Sequence, residues 1–291
     1  MKNYVYSDLA IESPIQPSAK ELSEKIISGA KVTTLKIDSK ESAEKYGRER
    51  GRYVTVSFEK VWLLGDEELE RVAGVIAREL TEIIKGSVKK NLEGDFTVLV
   101  VGLGNSDITP DAIGPLTLSE LTVTRHLKDI APEFYSETGL CSVSAFAPGV
   151  LAQTGIETLE LIRGAVENVR PDAVIAVDAL AARSCARLGT TVQISDTGIS
   201  PGSGIGNRRK AINKSNLGVP VIALGAPTVV DSATLVYDAL EKAGISEISD
   251  ELDKVLKNGR GFFVCPKECD VITSNVSLLL ARSLDNAFAM L

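Results

Sequence analysis

Hydrophobic residues recur along this chain with two periods, and the switch between them marks out the elements. Residues 32–37 form a short β-favouring run. Residues 52–58 alternate apolar and polar side chains, as a half-buried antiparallel strand does. From Asp66 to Lys85 the spacing becomes three and four: Leu69, Val72, Ala73, Ile76, Leu80, Ile83 and Ile84 form one stripe, which predicts an amphipathic helix. The acidic first turn suits the positive end of its dipole. From Thr97 onward the pattern is strand, loop, helix, repeated. Residues 97–101, 173–177, 191–194 and 219–224 are short apolar runs of the kind that parallel sheets bury on both faces. Helices are predicted over 114–127, with Pro115 in the first turn, and over 154–169, opened by a Thr154–Glu157 capping box and stopped by Pro171. Two more are predicted over 231–243 and 273–291. Residues 1–20 are polar, carry Pro14 and Pro17, and read as an extended arm.

These elements predict one α/β domain: three layers, a mostly parallel twisted sheet flanked by helices, and an N-terminal β addition. Composition agrees. Of 291 residues, 44% are hydrophobic and 24% charged, enough for a sizeable core. The formal charge of −7 argues against direct nucleic-acid binding and against an anionic membrane surface. No apolar run has the length of a membrane span, and the first residues lack a secretory apolar segment, so the expected location is cytoplasmic. Four cysteines do not make a disulfide scaffold. Cys265 and Cys269 lack a second pair or a nearby histidine to complete a zinc set, so no metal or other cofactor is expected.

Two strand ends carry the candidate chemistry. Residues 97–101 run into Gly102-Leu103-Gly104-Asn105 and then Thr109-Pro110-Asp111. Residues 173–177 break into Asp178-Ala179-Leu180-Ala181-Ala182. Ligands of open α/β sheets bind beyond the carboxyl ends of the strands, so Asp111 and Asp178 are expected to face one crevice. Two carboxyls in a partly dry site do not both ionise cheaply: one holds a proton while the other acts as base. Competing readings make Asp111 a turn residue and Asp178 the cap of a following helix. The glycines after residue 101 lack the third glycine of a dinucleotide fingerprint and read as a tight strand exit lined by Asn105. Asp196, in Asp196-Thr197-Gly198, is a possible third carboxylate. The loop 201–210, with Gly204 and Arg208, reads either as a lid or anion clamp or as a solvated loop. Alternatives from other classes are a nucleotide- or phosphate-binding module using the 102–105 turn with Arg208–Lys210, and a metal-assisted hydrolase using Asp111, Asp178 and Asp196. The sole histidine, His126, is expected at a helix end in a structural role.

Several of these segments together resemble one family. Val100-Val101-Gly102-Leu103-Gly104-Asn105, Thr109-Pro110-Asp111-Ala112-Ile113-Gly114-Pro115, Asp178-Ala179-Leu180-Ala181-Ala182-Arg183-Ser184 and Gln193-Ile194-Ser195-Asp196-Thr197-Gly198-Ile199 are similar to the germination proteases of endospore-forming bacteria. The resemblance implies an atypical aspartic endopeptidase that degrades small acid-soluble spore proteins, works as a homotetramer and is made as a self-processing zymogen. It implies a fold similar to the hydrogenase maturation endopeptidases, without carrying over their nickel. The family's two proposed catalytic aspartates fall on Asp111 and Asp178. Its processing site falls on Ser7-Asp8-Leu9-Ala10-Ile11-Glu12, which implies cleavage between Asp8 and Leu9, a pro-segment of residues 1–8, a peptidase domain of 9–291, and residence in the forespore or spore core.

Overall fold

The computed structural model describes residues 6–291 apart from 14, 16, 19, 89–95, 201–209, 246 and 259–260. Its strands are β1 (Leu22–Ile27), β2 (Ala30–Ile37), β3 (Gly51–Ser57), β4 (Thr97–Gly102), β5 (Ser142–Phe146), β6 (Ala173–Ala182), β7 (Thr191–Ser195), β8 (Val221–Asp231) and β9 (Phe263–Val264). They form one sheet in the order β1-β2-β3-β7-β8-β6-β4-β5, with β9 on β8. The half made of β8, β6, β4 and β5 is parallel. The N-terminal strands and β7 join it in antiparallel pairings, so the sheet is mixed.

The alternation along β4 shows how the layers are built. Val98 and Val100 face a core shared with α2 (Asp66–Ser87), α3 (Ile113–Glu120) and α6 (Cys269–Phe288). Leu99 and Val101 face the opposite core, shared with Leu159, Ile162 and Val166 of α4 (Thr158–Val169). Helices therefore cover both faces of the sheet. The stripe read from the sequence of α2 is fully buried at Ala73, Ile76, Leu80 and Ile84. Each buried aliphatic side chain of that size is worth about 1.5–3 kcal/mol, which outweighs anything propensity contributes.

The structure corrects four expectations. β6 does not stop at Val177: pairing with β8 carries it on through Asp178 to Ala182, with a register shift between Leu180 and Ala181. The helix predicted over 114–127 ends at Glu120, because Thr124 is held by β5 instead. Its amide and hydroxyl donate to Val143 and Cys141 carbonyls at 3.1 and 2.6 Å, and its hydroxyl accepts from the Val143 amide at 2.9 Å. The helix predicted over 154–169 breaks at Gly155, which sits at φ +70° and ends a short turn of helix, Leu151–Thr154. Thr154 closes that turn rather than capping α4, which starts after Glu157. Finally, residues 8–12 are not a free arm: Leu9 and Ala10 are buried.

Candidate active site

The turn after β4 is built around close backbone approach. Gly104 lies at φ +109°, and a Cβ there would stand 2.0 Å from the Asp111 carbonyl oxygen. Gly102 and Gly114 approach each other as closely: a Cβ on Gly102 would meet the Gly114 carbonyl oxygen at 2.6 Å. Only residues without side chains allow this packing. The chain then forms a single 3₁₀ turn, Thr109–Asp111, with Pro110 fixing its entry and the Thr228 hydroxyl of β8 donating to the Pro110 carbonyl at 2.6 Å. Asp111 is half-buried, and its Oδ2 accepts the Asn105 amide proton at 2.8 Å. The glycine turn therefore aims a backbone donor at its own carboxylate, not at a phosphate.

Asp178 occupies the next strand of the sheet. Strand periodicity puts it on the face of Val174 and Ala176, at the point where β6 passes its last partner on β4. It is 7% exposed, and its Oδ1 accepts the Ala179 amide proton at 3.0 Å. Burial pushes its proton affinity well above the usual carboxylate range, and the nearby Asp111 and Asp8 carboxylates push it further the same way. Asp8, Asp111 and Asp178 line one cavity of about 310 Å³, together with Leu103, Gly104 and Thr228.

Asp8 enters this cavity on a segment that docks against β6 and closes with a 3₁₀ turn, Ala10–Glu12. Its amide donates to the Ala181 carbonyl at 2.8 Å, and its Oδ2 accepts the Ala181 amide proton at 2.8 Å. Leu9 packs with Leu180, Leu188 and Val230; Ala10 packs with Leu35, Tyr46 and Tyr53. The Glu12 carboxylate accepts amide protons from Arg183 at 2.6 Å and Ser184 at 3.1 Å. On the other side lie two long polar side chains. Arg48 donates to the carbonyls of Ser7, Asp8 and Leu9 at 2.9, 3.0 and 3.0 Å. Gln193 of β7 donates to the Asp8 carbonyl at 3.0 Å and accepts the Ala10 amide proton at 2.6 Å.

The structure thus brings Asp111 and Asp178 together and adds Asp8 and Leu9, while Asn105 contributes its backbone amide. Asp196 does not line the cavity. It is exposed, and its Oδ1 accepts the Arg52 amide proton at 2.8 Å, so the third carboxylate beside the pair is Asp8. That removes Asp196 from a set of metal ligands with Asp111 and Asp178. Among the described residues, no group of three His, Cys, Asp or Glu could hold a metal ion. Gly204 and Arg208 lie outside the described residues. His126 is exposed and precedes the short helix Leu127–Ile130 instead of closing one. The four cysteines are free thiols, and burial raises those of Cys141 and Cys269 to about 12 and about 11. Sequence reading missed Arg48 and Gln193. Gln193 did leave a signal: a polar residue in the middle of an otherwise strand-like run.

Comparison with known proteins gives the chain its relatives. The sequence profile of the germination protease family matches residues 12–243. A germination protease of Clostridium acetobutylicum is 40% identical over 98% of this chain and 95% of its own length. One from Caldanaerobacter subterraneus is 43% identical over 89% of this chain and 85% of its own. One from Bacillus subtilis is 48% identical over 73% of this chain and 56% of its own. Among solved structures, the [NiFe] hydrogenase maturation protease HycI from Thermococcus kodakarensis aligns at a TM-score of 0.30 and 18% identity. That alignment covers 62% of this chain and 99% of the other.

Proposed function

Because the chain belongs to the germination protease family, and is therefore a peptidase, we propose that Asp111 and Asp178 together activate water for peptide hydrolysis. The observation that carries this reading is that Asp111 and Asp178 line one cavity with Asp178 buried. Burial and the two neighbouring carboxylates raise the proton affinity of Asp178 well above the usual carboxylate range. Asp111, which receives a backbone hydrogen bond at its carboxylate, is the base that takes a proton from water. Asp178 is the acid. The substrates are small acid-soluble spore proteins, and the compartment is the forespore or spore core. The protein is a self-processing zymogen that cuts between Asp8 and Leu9, and its working form is a homotetramer.

What supports processing at that bond is the path of residues 8–12: Asp8 lines the cavity and its amide donates to the Ala181 carbonyl of β6, Leu9 and Ala10 are buried in separate apolar clusters, and Ala10–Glu12 close the segment with a 3₁₀ turn. The test is intact mass of the full chain, together with cleavage of a spore-protein peptide. Asp111→Asn and Asp178→Asn are each expected to slow both reactions by at least about 100-fold while the fold is kept. Full activity in either folded variant would remove the reading.

A further inference from the structure

We infer that Arg48 and Gln193 form the site that polarises the scissile carbonyl. The Asp178 proton is thereby kept for the leaving amine. This rests on the proposed cleavage between Asp8 and Leu9. Two donors converge on the Asp8 carbonyl oxygen, Arg48 and Gln193, each at 3.0 Å. One of them carries a full positive charge. A donor pair aimed at a carbonyl oxygen is what an acyl-transfer site needs where negative charge develops. The cavity carboxylates can supply a proton and a base, but not a fixed positive charge.

The local structure shows why these two groups are held in place. Helix α1 (Lys40–Tyr46) ends in a left-handed turn, with Gly47 at φ +62° and the Arg48 amide returning to the Ala43 carbonyl at 3.1 Å. That reversal directs the Arg48 side chain back across the N-terminal segment. Its remaining bonds, to the Ser7 and Leu9 carbonyls, fix the guanidinium in its plane. Gln193 is buried in the middle of β7, between β3 and β8. Its Oε1 is held by the Ala10 amide, which leaves Nε2 facing the Asp8 carbonyl.

The step then balances as follows. The water oxygen bonds to the Asp8 carbonyl carbon, and the carbonyl π pair moves onto the oxygen held by Arg48 and Gln193. The water proton passes to Asp111. The Asp178 proton goes to the Leu9 nitrogen, and the C–N bond breaks with its pair leaving on nitrogen. The carbonyl re-forms as a carboxyl group, and a proton returning from Asp111 to Asp178 resets the pair.

Asp8–Leu9 is the one Asp–Leu pair in the sequence. Labelling with carbonyl-¹³C aspartate and ¹⁵N leucine therefore gives a single carbonyl–amide correlation in the spectrum of the full chain. With Asp111→Asn present to prevent cleavage, the Asp8 carbonyl carbon is expected downfield, and to move upfield in Gln193→Glu and in Arg48→Lys. Gln193→Glu keeps an acceptor for the Ala10 amide and replaces the donor with a carboxylate oxygen. With Asp111 intact, either change is expected to slow loss of residues 1–8, followed by intact mass, by about 100-fold. An unmoved resonance overturns the inference whether or not cleavage slows, since a slower rate would then come from packing. An unchanged cleavage rate overturns the catalytic role. A resonance that moves in a chain that never loses residues 1–8 overturns cleavage at this bond, and is thereby told apart from failure of the hydrogen bonds themselves.

Discussion

The Asp8 carboxylate accepts the Ala181 amide proton at 2.8 Å, on the same strand that carries Asp178. A residue from the start of the chain is thus part of the electrostatic environment of a buried acid in its middle. Asp178 responds to that carboxylate as well as to Asp111 and to its own burial. Four expectations follow from this arrangement.

The first concerns pH and stability. Unfolded, Asp178 ionises near 3.8; folded, it does so at higher pH. Between those values the folded chain binds more protons than the unfolded one. Its contribution to stability is fully present below the unfolded value and is lost as pH rises through the folded one. Asp178→Asn keeps an acceptor for the Ala179 amide and removes the cost of keeping a buried carboxyl protonated. It is expected to raise stability at pH 7 by about 1 kcal/mol, with the gain vanishing towards pH 4. Thermal unfolding at both pH values checks this, and a gain that grows on acidification would contradict the assignment.

The same group is expected to set the alkaline limb of activity. The rate of processing is expected to fall as Asp178 loses its proton. A pH–rate profile of cleavage by intact mass reads that limb. A rate that keeps rising into alkaline solution would show that no protonated carboxyl is needed.

Gly104→Ala tests the turn that supports Asp111. A β-carbon at φ +109° would collide with the Asp111 carbonyl oxygen, 2.0 Å away. The backbone must move, at a cost of about 1–3 kcal/mol, and Asp111 moves with it. Expected results are a lower melting temperature and a loss of cleavage larger than the loss of folded protein explains. Gly65→Ala is the control, because a Cβ there meets nothing within 4 Å.

Glu12→Gln tests how the segment is held. The carboxylate accepts from the Arg183 and Ser184 amides and from the Ser7 hydroxyl, the last at 2.6 Å. Replacing charge-assisted bonds by neutral ones is expected to weaken docking by about 1 kcal/mol. Hydrogen exchange at Arg183 and Ser184 should speed up several-fold in the uncleaved chain. No change there would mean that the segment is held without Glu12.

Much of this was legible before folding. The period-three-and-four stripe of α2 and the apolar runs of β4 and β6 follow from burial alone, and they pointed Asp111 and Asp178 at one crevice, although Asp178 lies inside β6 and not at its end. What the sequence misread were places where a distant partner overrides local preference. Thr124 leaves a helical stretch to bond Cys141, just before β5, and Val143 on it. β6 outruns its apolar segment because β8 continues beside it, with Gly225 admitting the Asp178 backbone: a Cβ there would stand 2.7 Å from the Asp178 carbonyl oxygen.

The pattern of apolar positions by itself determined the layers and where β4 and β6 begin, because burial and strand periodicity act over a few residues. Tertiary structure alone buried Asp178 in the cavity that Asp111 lines, and made Asp8 rather than Asp196 the third carboxylate there. It alone also set Arg48 and Gln193 against the Asp8 carbonyl. Proton affinity and hydrogen-bond geometry depend on groups converging through space, from positions whose separation along the chain carries no trace of their contact.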